Sequence, residues 1–235
     1  MPDQPTLEQA TEQFAEAVAV RVAGVTHQRL GEFAKALSCF ATAREIFAHL
    51  GNQAQVGWTV QNEGNVLDLL GRPSDAIRCF DQAEQAMRAS NELKGWPLLY
   101  RRRGDVFRRL KRAGDAMAQY DQGLAAYRGI EEYHGLINTL SSRAEAWLDR
   151  GDFPAAQADL DEATQLLTAH PRQPSEYDCL LLCRRARCAA ALGHNDDAKS
   201  LASKAQALLT ELSLAQDHGN PDVTDMIATV LGPRS

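Results

Sequence analysis

One short pattern recurs five times along the 235-residue chain, marked by Ala36, Ala76, Ala116, Ala156 and Ala198, at steps of 40, 40, 40 and 42 residues. Four residues after each alanine stands Phe40, Phe80, Tyr120 or Leu160, with Ala202 in the last copy. Three further on comes a very small residue: Ala43, Ala83, Gly123, Ala163 and Ala205. Twelve residues before each alanine is another: Gly24, Gly64, Gly104, Ala144 and Ala186. A fixed period in this range is the mark of a repeat array, in which each unit buries its apolar face against its neighbours and the stack forms one body.

Each unit reads as two antiparallel helices. Turn signals divide them: LGEF at 30–33, GRPSDA at 71–76, KRAGDA at 111–116, RGDFPA at 150–155 and GHNDDA at 193–198. Glycine ends the first helix. Asp, Ser and Asn start the second by accepting hydrogen bonds from its free N–H groups. Pro73 and Pro154 suit a first helical turn, where a missing N–H costs little. With the first small residue of each unit numbered 8, position 4 is Val20, Val60, Tyr100, Leu140 and Leu182. Positions 4, 8 and 11 share one helix stripe. The small residues at 8, 20 and 27 fall where helices cross at about 8–10 Å, and a larger side chain would hold the axes apart.

With Gly/Ala at position 8, Ala at 20, Phe/Tyr at 24 and Ala at 27, the chain resembles the tetratricopeptide repeat family over residues 15–212. The period exceeds the roughly 34 residues usual for that family. It is nearer the long-helix variants of kinesin light chains and Pins-type scaffolds, which QNEGNVLDLLG at 61–71 resembles most. The expected fold is all-α: a right-handed solenoid of five helical hairpins over residues 1–212, with repeats near 15–50, 55–90, 95–130, 135–170 and 177–212. Residues 1–14 extend the first helix. Residues 213–235 form a loop and a short helix at 221–232 that caps the last repeat or, alternatively, binds a partner or a second copy.

Composition narrows the function. Aromatics are few, so close packing through alanine replaces large core residues. The net charge of −6 argues against nucleic-acid affinity. Apolar runs are short and broken by charges, so no membrane span is expected. The acidic MPDQPTLEQATEQF start lacks the basic and apolar stretches of a signal peptide, which points to the cytoplasm. Five cysteines make no disulfide framework: Cys39 and Cys79 hold the same place in two repeats, while Cys179, Cys183 and Cys188 fall on one helix. The sequence shows no phosphate loop, HExxH, GxSxG or paired CxxC, so no enzyme, cofactor or metal site is expected. The alternatives with chemistry in them are a metal held by Cys179, Cys183 and Cys188, which would need a fourth ligand, and an arginine-activated Cys183 or Cys188.

In tetratricopeptide arrays a second stripe, at positions 2, 5, 9 and 12 of each first helix, lines the concave surface, so the resemblance implies where a partner would lie. The candidate residues are Arg21, Trp58, Gln61, Asn62, Asn65, Leu98, Arg101, Arg102, Asp105, Arg108, Asn138 and Glu145. Asn62 and Asn65 match two asparagines that similar scaffolds use to hold a peptide. A primary amide can donate to one backbone group of an extended segment and accept from another. Only the second repeat has both. Residues 101–112, RRRGDVFRRLKR, hold seven basic residues and one acidic, a local +6 against −12 elsewhere. They either dock an acidic or phosphorylated segment or pair with the chain's own Asp68, Asp105 and Glu145. Trp58 and Leu98 either floor the groove or fill the gap between neighbouring first helices.

The function expected is a non-catalytic interaction module for a linear, acidic protein or peptide segment. No nucleic-acid or membrane partner is expected, and the chain is a monomer or homodimer. A sensor responding to a peptide or small effector, and a self-assembling scaffold, are the alternatives.

Overall fold

The computed structural model describes residues 6–92 and 95–215, with side chains to Leu212. Ten helices are described: α1 (Leu7–Arg29), α2 (Phe33–His49), α3 (Gln53–Leu69), α4 (Pro73–Ala89), α5 (Gly95–Arg109), α6 (Ala113–Gly129), α7 (Tyr133–Arg150), α8 (Phe153–Ala169), α9 (Glu176–Ala191) and α10 (Asn195–Ala215). The expected capping helix at 221–232 lies outside the described residues.

The chain divides into two compact units, residues 1–112 and 113–235. In the first, α1 pairs with α2 and α3 with α4, while α5 packs on α3 and α4. In the second, α7 pairs with α8 and α9 with α10, and α6 packs on α7. The periodic alanines are the core: Ala36, Ala76, Ala116, Ala156 and Ala198 are all buried, as are Ala43, Ala83, Ala163 and Ala205. The small residue at position 8 is a steric requirement. A Cβ on Gly24 would sit 2.6 Å from Phe40 Cε1, and one on Gly64 would sit 2.6 Å from Phe80 Cε1. The glycine and the aromatic sixteen residues later are thus one packing unit, written twice.

Turns repeat as strictly as the core. The residue one or two places after each first helix takes positive φ: Gly31 (73°), Gly71 (70°), Lys111 (59°), Gly151 (78°) and Gly193 (85°). The links between hairpins do the same at Gly51 (69°), Asn91 (56°) and Glu131 (52°). The expectation that glycine ends each first helix therefore fails in the third repeat. Gly114 lies inside α6, and Lys111 holds the left-handed position. The backbone path is set by the hairpin geometry, and the side chain there must comply. Capping is also uneven. Asp152 accepts from the Ala155 N–H, but Glu32 and Arg72 precede α2 and α4 without a side-chain cap. Pro73 and Pro154 stand in first turns as expected.

Among the described residues no helix is long and apolar enough to cross a membrane, and no group of His, Cys, Asp and Glu is arranged to hold a metal. Cys179, Cys183 and Cys188 are buried. Burial pushes the Cys179 thiol up to about 12 and the Cys183 thiol up to about 11, the latter against the opposing pull of its neighbour Arg184. Burial also raises Cys188.

Candidate interaction face

Ten of the twelve candidate residues lie in the first unit, on three helices. Arg21 is on α1. Trp58, Gln61, Asn62 and Asn65 are on α3. Leu98, Arg101, Arg102, Asp105 and Arg108 are on α5. α3 packs beside both α1 and α5, so the three helices make one surface. Asn138 and Glu145 lie on α7, in the second unit.

α3 carries the most polar part of that surface. Asn62 and Asn65 are half-buried and three residues apart, so they share one side of the helix. Among the described residues neither side chain has a hydrogen-bond partner. Gln61 beside them is buried, and its Oε1 accepts no hydrogen bond. A buried amide oxygen without a donor costs about 1–3 kcal/mol, so this stretch of α3 carries hydrogen-bonding capacity that the fold does not use. Arg21 is half-buried, with its guanidinium 5.9 Å from the centre of the Phe47 ring. Burial pulls its pKa below the ordinary value.

The basic run on α5 is largely committed inside the protein. Arg101 is only 5% exposed and contacts Asp105 Oδ2 at 3.3 Å through Nη1. Arg103, which the position count left off the surface, is buried and meets Asp81 and Glu84 of α4 at 2.7 Å each. Arg109 pairs with Asp68 of α3. Burial raises the Asp68 pKa, opposed by Arg109 and Arg102 and reinforced by Asp105. Arg102 and Arg108 are half-buried. The run therefore clamps α5 to α4 through Arg103 and to α3 through Arg109, and the +6 of the sequence overstates the charge presented outward.

Trp58 fills a gap between first helices. It packs against the core around Phe80, and a Cβ on Gly95 at the start of α5 would lie 3.0 Å from its Cζ2. Leu98 is half-buried nearby on α5. In the second unit Asn138 is half-buried. Glu145 is buried, pairing with Arg184 at 3.3 Å and with Arg187, while Arg184 also donates to Ser141 Oγ at 2.8 Å. Glu145 thus ties α7 to α9. The arginine partners of these acids follow no periodic signal, because the repeat pattern records residue size and not which charge faces which.

Comparison with known proteins agrees with this architecture. Residues 14–89 match the tetratricopeptide repeat family. No curated protein matches the sequence. Among solved structures, BtubC (BKLC) from P. vanneervenii is 15% identical with a TM-score of 0.67, over 90% of this chain and 92% of that one. A putative kinesin light chain of Podosopora anserina with nearly identical TPR-like repeats is 12% identical with a TM-score of 0.60, over 87% and 99%. A Rap protein complexed with Competence and Sporulation Factor is 14% identical with a TM-score of 0.65, over 98% of this chain and 70% of that one. At such identities the likeness is one of fold. The likeness to tetratricopeptide repeats is thus one of sequence over residues 14–89 and one of helical-hairpin solenoid fold across the chain.

Proposed function

We propose that the chain is a non-catalytic interaction module whose α1–α3–α5 face takes a linear segment of a partner protein. The observation that carries this reading is the unused hydrogen-bonding capacity of Asn62 and Asn65, half-buried side by side on α3. An extended segment crossing α3 presents unpaired N–H and C=O groups that two primary amides can satisfy. Three first helices at ~10 Å spacing span about 20 Å, enough for roughly six extended residues. Arg21, Arg102 and Arg108 bias the face toward a segment with acidic character. Arg101, held by Asp105, contributes by fixing that surface, and half-buried Leu98 gives it an apolar contact.

The test is selection from a randomised peptide library, followed by titration of the selected segment against the wild type and the Asn62→Ala, Asn65→Ala variant. Weaker binding by the variant supports the reading, and equal binding moves the site elsewhere. A second reading, a sensor that changes shape on binding an effector, is favoured by the Rap protein of the same fold that is complexed with Competence and Sporulation Factor. Its mark is a ligand-dependent change in the X-ray scattering profile.

A further inference from the structure

The fifth hairpin is built from smaller residues than the others. At position 11 of the first helix, Leu67, Phe107 and Trp147 stand in the second, third and fourth repeats, and the fifth has Ala189. At position 24, where the second helices of the other repeats have Phe40, Phe80, Tyr120 and Leu160, it has Ala202. α9 packs on both α8 and α10. Among these three helices lies a cavity of about 340 Å³, with Ala189 in its lining. Small-molecule sites occupy about 300–1,000 Å³, so the space is large enough for a small ligand. All three helices belong to the second unit.

The lining indicates what fits. Two half-buried charges of opposite sign share the cavity, Asp161 of α8 and Arg185 of α9. Among the described residues neither is in an ion pair or a side-chain hydrogen bond. Arg143, which holds the place of Arg185 in the preceding repeat, is by contrast saturated by Asp121 and Asp159 at 2.6 Å each. A guanidinium and a carboxylate that line one space without pairing leave room for a group of the reverse polarity between them. Exposed Asp197 and Lys204 add one further charge of each sign, so the lining suits a ligand that is neutral overall. Leu160 and Leu192 supply apolar wall. We propose that the cavity takes a free α-amino acid with an apolar side chain. Its carboxylate accepts from Arg185, in the fork geometry that guanidinium favours. Its ammonium donates to Asp161, and its side chain lies against the leucines, in the room that Ala189 leaves. The amides Asn62 and Asn65 are in the first unit, so binding here is tested independently of segment binding.

The experiment is calorimetric titration of leucine and phenylalanine into the full chain, with leucinamide and N-acetylleucine as probes that each lack one of the two charges. Circular dichroism confirms the fold of each variant. Leucine or phenylalanine is expected to bind at one site per chain. Leucinamide and N-acetylleucine should each bind about tenfold more weakly or worse than leucine, and Arg185→Gln should weaken the amino acid by a similar factor. Ala189→Phe, which installs the residue of the third repeat, should abolish binding by filling the cavity. Three results would overturn the proposal: no binding of either amino acid, as when Arg185 and Asp161 close on each other or another segment of the chain fills the space; leucinamide and N-acetylleucine binding as well as leucine; or a folded Ala189→Phe or Arg185→Gln variant that binds like the wild type.

Discussion

Arg101 and Asp105 stand one helical turn apart on α5, with Nη1 3.3 Å from Oδ2 and the guanidinium almost wholly buried. The most basic stretch of the chain thus carries its own counter-charge. Removing that counter-charge has two expected effects. Asp105→Asn should lower stability by about 1–3 kcal/mol, because a buried cation loses a charged hydrogen bond. It should also raise affinity for an acidic segment severalfold, because the face becomes more positive. Urea denaturation and titration at low salt measure the two separately.

Glycine-to-alanine substitution should act with opposite signs at two sites. Gly64→Ala places a Cβ 2.6 Å from Phe80 Cε1, and overpacking of this kind costs about 1–3 kcal/mol. Gly114→Ala in α6 meets nothing within 4 Å and should stabilise by up to about 1 kcal/mol through helix propensity. The shift in urea midpoint reads both.

Lys111 holds a left-handed conformation that glycine occupies at the same place in four other repeats. That conformation costs a non-glycine residue about 1–2 kcal/mol, while glycine gives back about 0.5–1 kcal/mol in chain entropy. Lys111→Gly should therefore raise the melting temperature, by a net of about 0.5–1 kcal/mol.

Glu84 gives the fold an acid-sensitive contact. Burial alone would raise its pKa, but hydrogen bonds from Arg88 and Arg103, with their charges, bring it below the ordinary 4.5. A carboxylate with a depressed pKa contributes stability that is present above its unfolded pKa and is lost as pH falls through the folded one. Glu84→Gln should therefore be less stable than wild type at neutral pH, and the gap should close in acid, below the ordinary carboxylate range. Melting temperatures across that range check the sign.

What the sequence made legible follows from what repeats encode. Ala36, Ala76 and their counterparts could be read directly because helix crossing limits side-chain size at fixed intervals, and size is visible in a one-letter string. Lys111 could not, because its backbone conformation is imposed by the hairpin on whatever residue arrives there. The partners of Arg103 and Glu145 were hidden for a different reason: charge pairing between helices depends on side-chain reach, which has no period. Asn62 and Asn65 were legible as candidates through family resemblance, and their unbonded state became visible only once α3 was placed among its neighbours.

The central claim is that Asn62 and Asn65 hold the main chain of a bound segment. Calorimetric titration of a library-selected segment into wild type and the Asn62→Ala, Asn65→Ala variant tests it most directly. Loss of two hydrogen bonds, each about 0.5–1.5 kcal/mol, corresponds to roughly five- to hundredfold weaker binding, at an unchanged melting temperature. Undiminished affinity in the variant would contradict the claim.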